Sequence, residues 1–409
     1  MKAMGPIPVG FSSDGTGCLL IGERSVSSLV NERAGTPLFA YDRDLIGRQI
    51  ARFRAAMPDN VSLHYAVKAN YYDALLIFLA QFVDGFDVAS AGEIERLAAA
   101  GIDGLPISIA GPGKSDADLH AALAIGATIN VESHGEAERA LVLAAELGVR
   151  ARLAVRVNPP FTLKGAGMKM GGLASPFGVD HDRAAGLVTR IIKAGADWRG
   201  LHIFTGSQAL DAEAVIEVQD QTIQLAARIS EEVGAPPAEV NLGGGFGIPY
   251  FPGELPLDVE RIGAALGKAI KDTPAILNDT SFAIELGRWL VGEAGVYLTR
   301  IVDRKESGGR IFLITNGGLH HVLAASGNFG QLLRRNYPVA IASRFGAEPD
   351  EEVTVTGCLC TPLDLLADQV MLPRADIGDI VAIFCAGAYG LSASPQSFLS
   401  QPPAGEMLV

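Results

Sequence analysis

The sequence is short of cysteine. Four residues in 409, Cys18, Cys358, Cys360 and Cys385, are too few and too scattered for a disulfide scaffold. Positive charge is also in deficit. Lys plus Arg total 33 against 46 Asp plus Glu, a formal net charge of −13, and a nucleic acid or an anionic membrane would need a cationic footprint instead. Long apolar runs are missing as well. A stretch such as 141–155 is broken by Glu, Arg or Gly within a few residues, far short of the roughly 18 apolar residues of a membrane span. Residues 1–13 have no basic segment followed by an apolar one, the pattern of a signal peptide. The expectation is a cytoplasmic globular enzyme with neither nucleic acid nor membrane as partner. Hydrophobic residues make up 48% of the chain. Its length exceeds what one core needs, so two domains are expected.

From about residue 60 to 290, β-type runs alternate with amphipathic helical ones, the pattern of a parallel sheet covered by helices. Strands are predicted at 62–67, 85–89, 107–110, 128–132, 152–157, 200–204, 239–242 and 282–285. Helices are predicted at 91–100, 134–147 and 212–233, among others. In the last, Val215, Ile216, Val218, Ile223, Ala226 and Ile229 recur at helical spacing. Eight such units fit a (β/α)8 barrel of the usual size; an open doubly wound sheet is the alternative. After residue 290 short strands follow one another, at 296–302, 311–315, 352–356, 369–372 and 380–386, with few helical periods. The expected organisation is a barrel over 38–290 and a β domain, a sandwich or barrel, formed by 1–37 and 291–409.

Barrel enzymes work at the carboxyl ends of their strands. Strand one ends in Tyr65-Ala66-Val67-Lys68-Ala69-Asn70. A lysine there is deprotonated, paired or covalently bonded, and a desolvated amine suits Schiff-base formation; a lysine snorkelling from the rim is the plainer account. Strand seven leads into Gly243-Gly244-Gly245-Phe246-Gly247, placed where barrels commonly hold a phosphate, or simply a sharp turn. Ser207 adds a hydroxyl or caps a helix. Strand eight ends in Glu285-Leu286-Gly287-Arg288, where the carboxylate either pairs locally with Arg288 or meets a cationic ligand. Asp87, ending strand two, is a similar carboxylate or a helix cap. An amine, a phosphate cradle and a carboxylate for a ring nitrogen are the three contacts that pyridoxal 5'-phosphate requires.

These motifs resemble the fold-type III pyridoxal-phosphate decarboxylases, the group of diaminopimelate, ornithine and arginine decarboxylases whose barrel is shared with alanine racemase. The resemblance covers nearly the whole chain, on Tyr65–Asn70, 86–93, 243–247, 285–288, 360–364 and 387–389. It looks closest to the branch associated with exosortase systems and is similar to decarboxylases acting on carrier-protein-bound amino acids. The resemblance implies that Lys68 forms the Schiff base and that Ser207, Gly243, Gly244 and Gly245 bind the phosphate, with Tyr389 closing on it and Arg288 nearby. It implies Glu285 at the pyridine nitrogen and Asp87 orienting Lys68 or the ring. Cys360 stands where the family places the cysteine that reprotonates Cα across an obligate homodimer, and Asp364 matches an aspartate near the subunit contact. Without the resemblance, Cys358 and Cys360 read as two buried strand residues.

Two departures stand out. The family usually writes His-x-His-x-Gly-Ser at strand six, and here Phe204 takes the stacking place, with His202 expected to face elsewhere. After the cysteine, decarboxylases of free diamino acids carry an acid that grips the distal amine. Here that residue is Thr361, so the expected substrate is an amino acid with a neutral or acidic tail, or an aminoacyl carrier protein. Arg334 and Arg335 lie in the stretch that holds the substrate carboxylate in diaminopimelate enzymes, or form a surface pair. His320, His321 and the loop 164–172 are candidates for the substrate entrance. The reaction implied is decarboxylation of an α-amino acid. An amino-acid racemase on the same fold is the nearest rival, disfavoured because racemases place an arginine where Glu285 stands. A non-catalytic pyridoxal-phosphate carrier is the other, disfavoured by the extra β domain.

Overall fold

The computed structural model describes residues 1–33, 35–172, 174–329, 331 and 333–409. They form two compact units, Ile50–Gly247 with Pro256–Gly287, and Met1–Gln49 with Ile248–Leu255 and Arg288–Val409.

The first unit is a closed parallel barrel. Its strands are β1 (Val61–Ala66), β2 (Gly85–Val88), β3 (Ile107–Ile109), β4 (Thr128–Val131), β5 (Arg152–Asn158), β6 (Asp197–His202), β7 (Glu239–Asn241) and β8 (Ser281–Leu286). Each pairs in parallel with the next. The ring closes where β8 meets β1, from Phe282 beside Val61 to Leu286 beside Tyr65. The strands are short, three to seven residues each. Outward side chains such as Leu63, Tyr65, Phe86, Ile129 and Leu153 are fully buried under the helices. Helices follow with their own start signals. Ser90 caps α1 (Ala91–Ala99) by accepting from Glu93 N, Ser115 forms a capping box at α2 (Asp116–Ala124), and Asp211 caps α3 (Ala212–Val233). Asp87 and Ser207, read in sequence as candidate caps, do not have that duty.

β6 begins three residues earlier than the apolar run suggests. Asp197, Trp198 and Arg199 are half-buried, and a bulge between Trp198 and Gly200 resets the register against β5.

The second unit is built on an eight-stranded mixed sheet. Its long strand β9 (Gly295–Ser307) works in two halves. Residues 295–300 lie between Leu38–Tyr41 and Ile380–Ile383, and residues 301–307 form a hairpin with β10 (Arg310–Thr315). Leu38–Tyr41, a β run that the boundary at residue 38 leaves on the barrel side although its sequence also suits the β domain, is a strand of this sheet and also pairs with Gly405–Leu408. Its core gathers Leu19, Ile21, Leu29, Val296, Leu298 and Phe384.

Candidate active site

Lys68 sits in a one-turn 3-10 helix, Val67–Ala69, directly after β1. The turn is fixed from both sides. The Tyr65 hydroxyl donates to the Asn70 carbonyl at 2.9 Å, and Asn70 Oδ1 accepts from Tyr72 N at 3.0 Å. Ala69 packs against β8, where a Cβ on Gly287 would come within 2.6 Å of the Ala69 Cβ. Lys68 itself is exposed at the barrel mouth while its two chain neighbours are buried. Its Nζ lies 5.7 Å from the centroid of the Phe204 ring, and its charge acts on two carboxylates, Glu93 and Glu285. Burial raises the Glu93 carboxyl, and the Ala89 N–H and Lys68 pull it back.

Glu285 ends β8 and is 8% exposed. The His202 Nε2 lies 3.2 Å from its Oε2. His202 therefore points into the barrel toward Glu285, contrary to the expectation that it faces elsewhere; it pairs in regular register with Arg156, and alternation along the strand puts it on the inner face. Burial opposes ionisation of Glu285, but the His202 imidazole and its hydrogen bond, with Lys68 and Arg156 beyond, hold the carboxyl well below the usual carboxylate range.

The loop after β7 is shaped for close backbone approach. Gly243 (φ +68°) and Gly245 (φ +77°) occupy the left-handed region. A Cβ on Gly244 would overlap the Glu285 carbonyl oxygen, and one on Gly243 would meet the Ile203 carbonyl oxygen at 2.7 Å. No other residue type fits there. Ser207 lies in a two-residue strand, Gly206–Ser207, paired with Met168–Lys169 of the long loop after β5. The residues of this unit thus fit pyridoxal phosphate. They offer a mouth amine beside an aromatic face, a glycine loop that a Cβ would fill, and a buried anionic carboxylate able to hold a protonated ring nitrogen.

The second unit carries the remaining candidates. The Arg288 Nη1 donates to the Tyr250 hydroxyl at 2.8 Å, and its guanidinium stands 4.7 Å from the Tyr389 ring. Its buried Nε has no hydrogen-bond partner among the described residues. Tyr389 holds φ at +54°, an uncommon backbone for a bulky residue that clusters at functional sites. Cys360 is exposed and Cys358 half-buried on a bend, so neither is a buried strand residue. Asp364 is 3% exposed, and its two oxygens accept from Leu319 N at 2.7 Å and Leu359 N at 2.8 Å. It ties the Cys360 bend to the segment at 317–319. Arg334 donates to the carbonyls of Ser326 and Leu365, and Arg335 stacks on Phe251 at 3.6 Å and reaches Glu254. Both guanidiniums have partners within the unit. The His321 ring bridges Tyr297 and the Pro402 carbonyl, and His320 packs against it at 3.8 Å.

Residues 43–292 match the family described as pyridoxal-dependent decarboxylase, pyridoxal binding domain. This chain is a pyridoxal-dependent decarboxylase. It is 35% identical over 385 residues to the L-glutamyl-[BtrI acyl-carrier protein] decarboxylase of Niallia circulans, covering 93% of this chain and 90% of the relative. It is 34% identical over 404 residues to the diaminopimelate decarboxylase of Methanothermobacter thermautotrophicus, covering 96% and 91%. Among solved structures, the diaminopimelate decarboxylase of Helicobacter pylori complexed with L-lysine superposes with a TM-score of 0.83 at 27% identity, covering 94% of each chain.

Sequence reading misses two groupings in this decarboxylase. Lys114, 3% exposed, donates to the Gly111 and Asn130 carbonyls and pairs with Glu136 at 2.7 Å. Glu132, at the end of β4, pairs with Arg156 of β5 at 2.8 Å and accepts from Gly111 N and Gly178 N. Arg156 in turn stands 5.1 Å from the Phe177 ring. This buried chain of alternating charge anchors the loop after β5 and projects a cation toward Glu285. Lys114 sits in a Gly-Pro-Gly-Lys-Ser stretch that reads as solvated loop. A second missed group lies within the barrel, where Ser108 donates to Asp87 and the His64 Nδ1 stands 3.7 Å from the same carboxylate. Among the described residues, no helix is long and apolar enough to cross a membrane.

Proposed function

We propose that this decarboxylase acts on an α-amino acid whose tail carries no cation, either free or attached to a carrier protein. The observation that supports this most is on the Cys360 bend. Its one acidic residue between 357 and 364 is Asp364, and both Asp364 oxygens are spent on backbone N–H groups. Thr361 stands where a diamino-acid decarboxylase would place an acid, and a hydroxyl cannot neutralise a distal ammonium that loses its water. The carrier-protein substrate in the name of the Niallia circulans relative agrees with this reading.

Pyridoxal phosphate, when bound, supplies an aldehyde and a ring that takes up the electron pair left as the carboxylate departs as carbon dioxide. Lys68 would hold the cofactor through its aldehyde, with its amine at the barrel mouth where a substrate amine arrives. Backbone amides of 243–245 and the Ser207 hydroxyl would hold the phosphate. Glu285 keeps a proton on the ring nitrogen, and Phe204 covers one ring face with an apolar surface that also excludes water. Asp87, held by Ser108 and His64, would orient Lys68 or the ring. The Cys360 thiol of a second copy delivers the proton that replaces carbon dioxide on Cα, making the homodimer part of the site. We place the enzyme in the cytoplasm, where such a thiol stays reduced.

The test is carbon dioxide release from a panel of diaminopimelate, lysine, ornithine, glutamate and a glutamyl carrier protein. Release from glutamate or the carrier-linked substrate, with none from the diamino acids, supports the assignment. Turnover of diaminopimelate or lysine at comparable kcat/KM overturns it.

A further inference from the structure

His202 is 2% exposed and two residues from the position that stacks on the ring. Its Nε2 meets Glu285 Oε2, and its Nδ1 is buried with no hydrogen-bond partner among the described residues. A proton on Nδ1 would have no acceptor there, whereas a proton on Nε2 points at a carboxylate. Glu285 needs such support. Its backbone is clamped, with N donating to the Gly243 carbonyl at 2.9 Å, but its side-chain torsions are left for side-chain partners to fix. The charged groups acting on this pair come from the surrounding elements: His64 of β1, Lys68 after it, Arg156 of β5 and Glu239 of β7. Among all of these, the His202 imidazole and its hydrogen bond do most to hold Glu285 ionised.

We infer that His202 is a positioning residue that grips one oxygen of Glu285 through Nε2–H, so that the other oxygen is presented to the ring nitrogen of the cofactor. The inference rests on the role proposed for Glu285 and adds the group that aims it. It also assigns work to the one histidine retained from the His-x-His pattern, after Phe204 has replaced the other.

Two measurements test it on the full-length chain. In 15N-histidine NMR of the cofactor-free protein at neutral pH, the His202 Nε2 carries a proton; a bare Nε2 overturns the inference, whatever the cofactor does. In the cofactor-loaded enzyme, His202→Leu lowers kcat about ten- to hundredfold, the worth of one hydrogen bond to a charged group. It also alters the pH dependence of the bound cofactor's absorbance, while the cofactor stays attached to Lys68. His202→Gln, whose amide nitrogen reaches the Nε2 position, recovers most of that loss. A Leu variant equal to the parent, or a Gln variant no better than Leu, overturns it. Should the Leu variant not fold, the Gln variant and the NMR measurement still decide. Failure of the cofactor to attach to Lys68 in the parent enzyme would instead condemn the functional reading, which separates the two.

Discussion

Replacing Asp364 by Ala removes the acceptor of two buried backbone N–H groups, Leu319 at 2.7 Å and Leu359 at 2.8 Å. Hydrogen bonds to a charged group are worth about 1.5–3 kcal/mol each, and a buried donor left unpaired forfeits a similar sum. The loss is not shared by the whole molecule, because both donors lie on the segments that Asp364 joins. Gly318 and Gly357 press on the same carboxylate, where a Cβ on either would overlap it, so no neighbouring side chain can swing in. The predicted result is local. The amides of Leu319 and Leu359 lose about ten- to hundredfold of hydrogen-exchange protection, while barrel amides such as Leu63 and Ile284 keep theirs. Asp364→Asn retains one acceptor and should deprotect one of the two amides. Because Cys360 is the residue after Leu359, kcat falls in both variants, more in Ala. Unchanged protection at both amides, or loss spread evenly over the chain, would refute the reasoning.

Two further outcomes follow from buried charge. Lys114→Met strands Glu136, which is 3% exposed at the side chain and loses its cation at 2.7 Å, while Glu132 keeps Arg156. The change should cost about 3–5 kcal/mol in urea unfolding, and a loss below about 1 kcal/mol would mean that the network is solvated. Burial alone would lower the His64 pKa, but Asp87 beside it raises it to about 9. The fold therefore favours protonated His64. Its stabilisation is complete below the unfolded value near 6.5 and fades as pH climbs through about 9. Urea midpoints across that window should decline in the parent and flatten in His64→Asn; parallel curves would contradict the assignment.

The eight barrel strands are legible in the sequence because their β-type runs alternate with amphipathic helical ones, and those signals are local. Lys68, Glu285 and the glycine loop are legible for the same reason, since strand ends mark a barrel mouth. The orientation of His202 is also open to the sequence, because residues two apart on a strand share a face and Phe204 is already placed at the cofactor. What the sequence does not announce is the bulge at Trp198 and Gly200 that begins the strand. The Lys114 network is invisible there because its partners stand 18 to 42 residues away by number, at Glu132, Glu136 and Arg156, and burial of a loop lysine is a tertiary outcome. Arg334 and Arg335 look available in sequence and are engaged with carbonyls and a ring. Leu38–Tyr41 looks like the barrel's threshold because its pattern, four buried residues, says strand without saying which sheet.

The central claim is a covalent one, that the cofactor is carried on the amine at position 68. Borohydride treatment of the loaded enzyme, followed by peptide mass spectrometry, reads it directly. A single pyridoxyl-phosphate adduct is expected on the peptide containing Tyr65 to Asn70, lost in Lys68→Ala. An adduct on Lys114, Lys164 or any other lysine, with Lys68 unmodified, would contradict it.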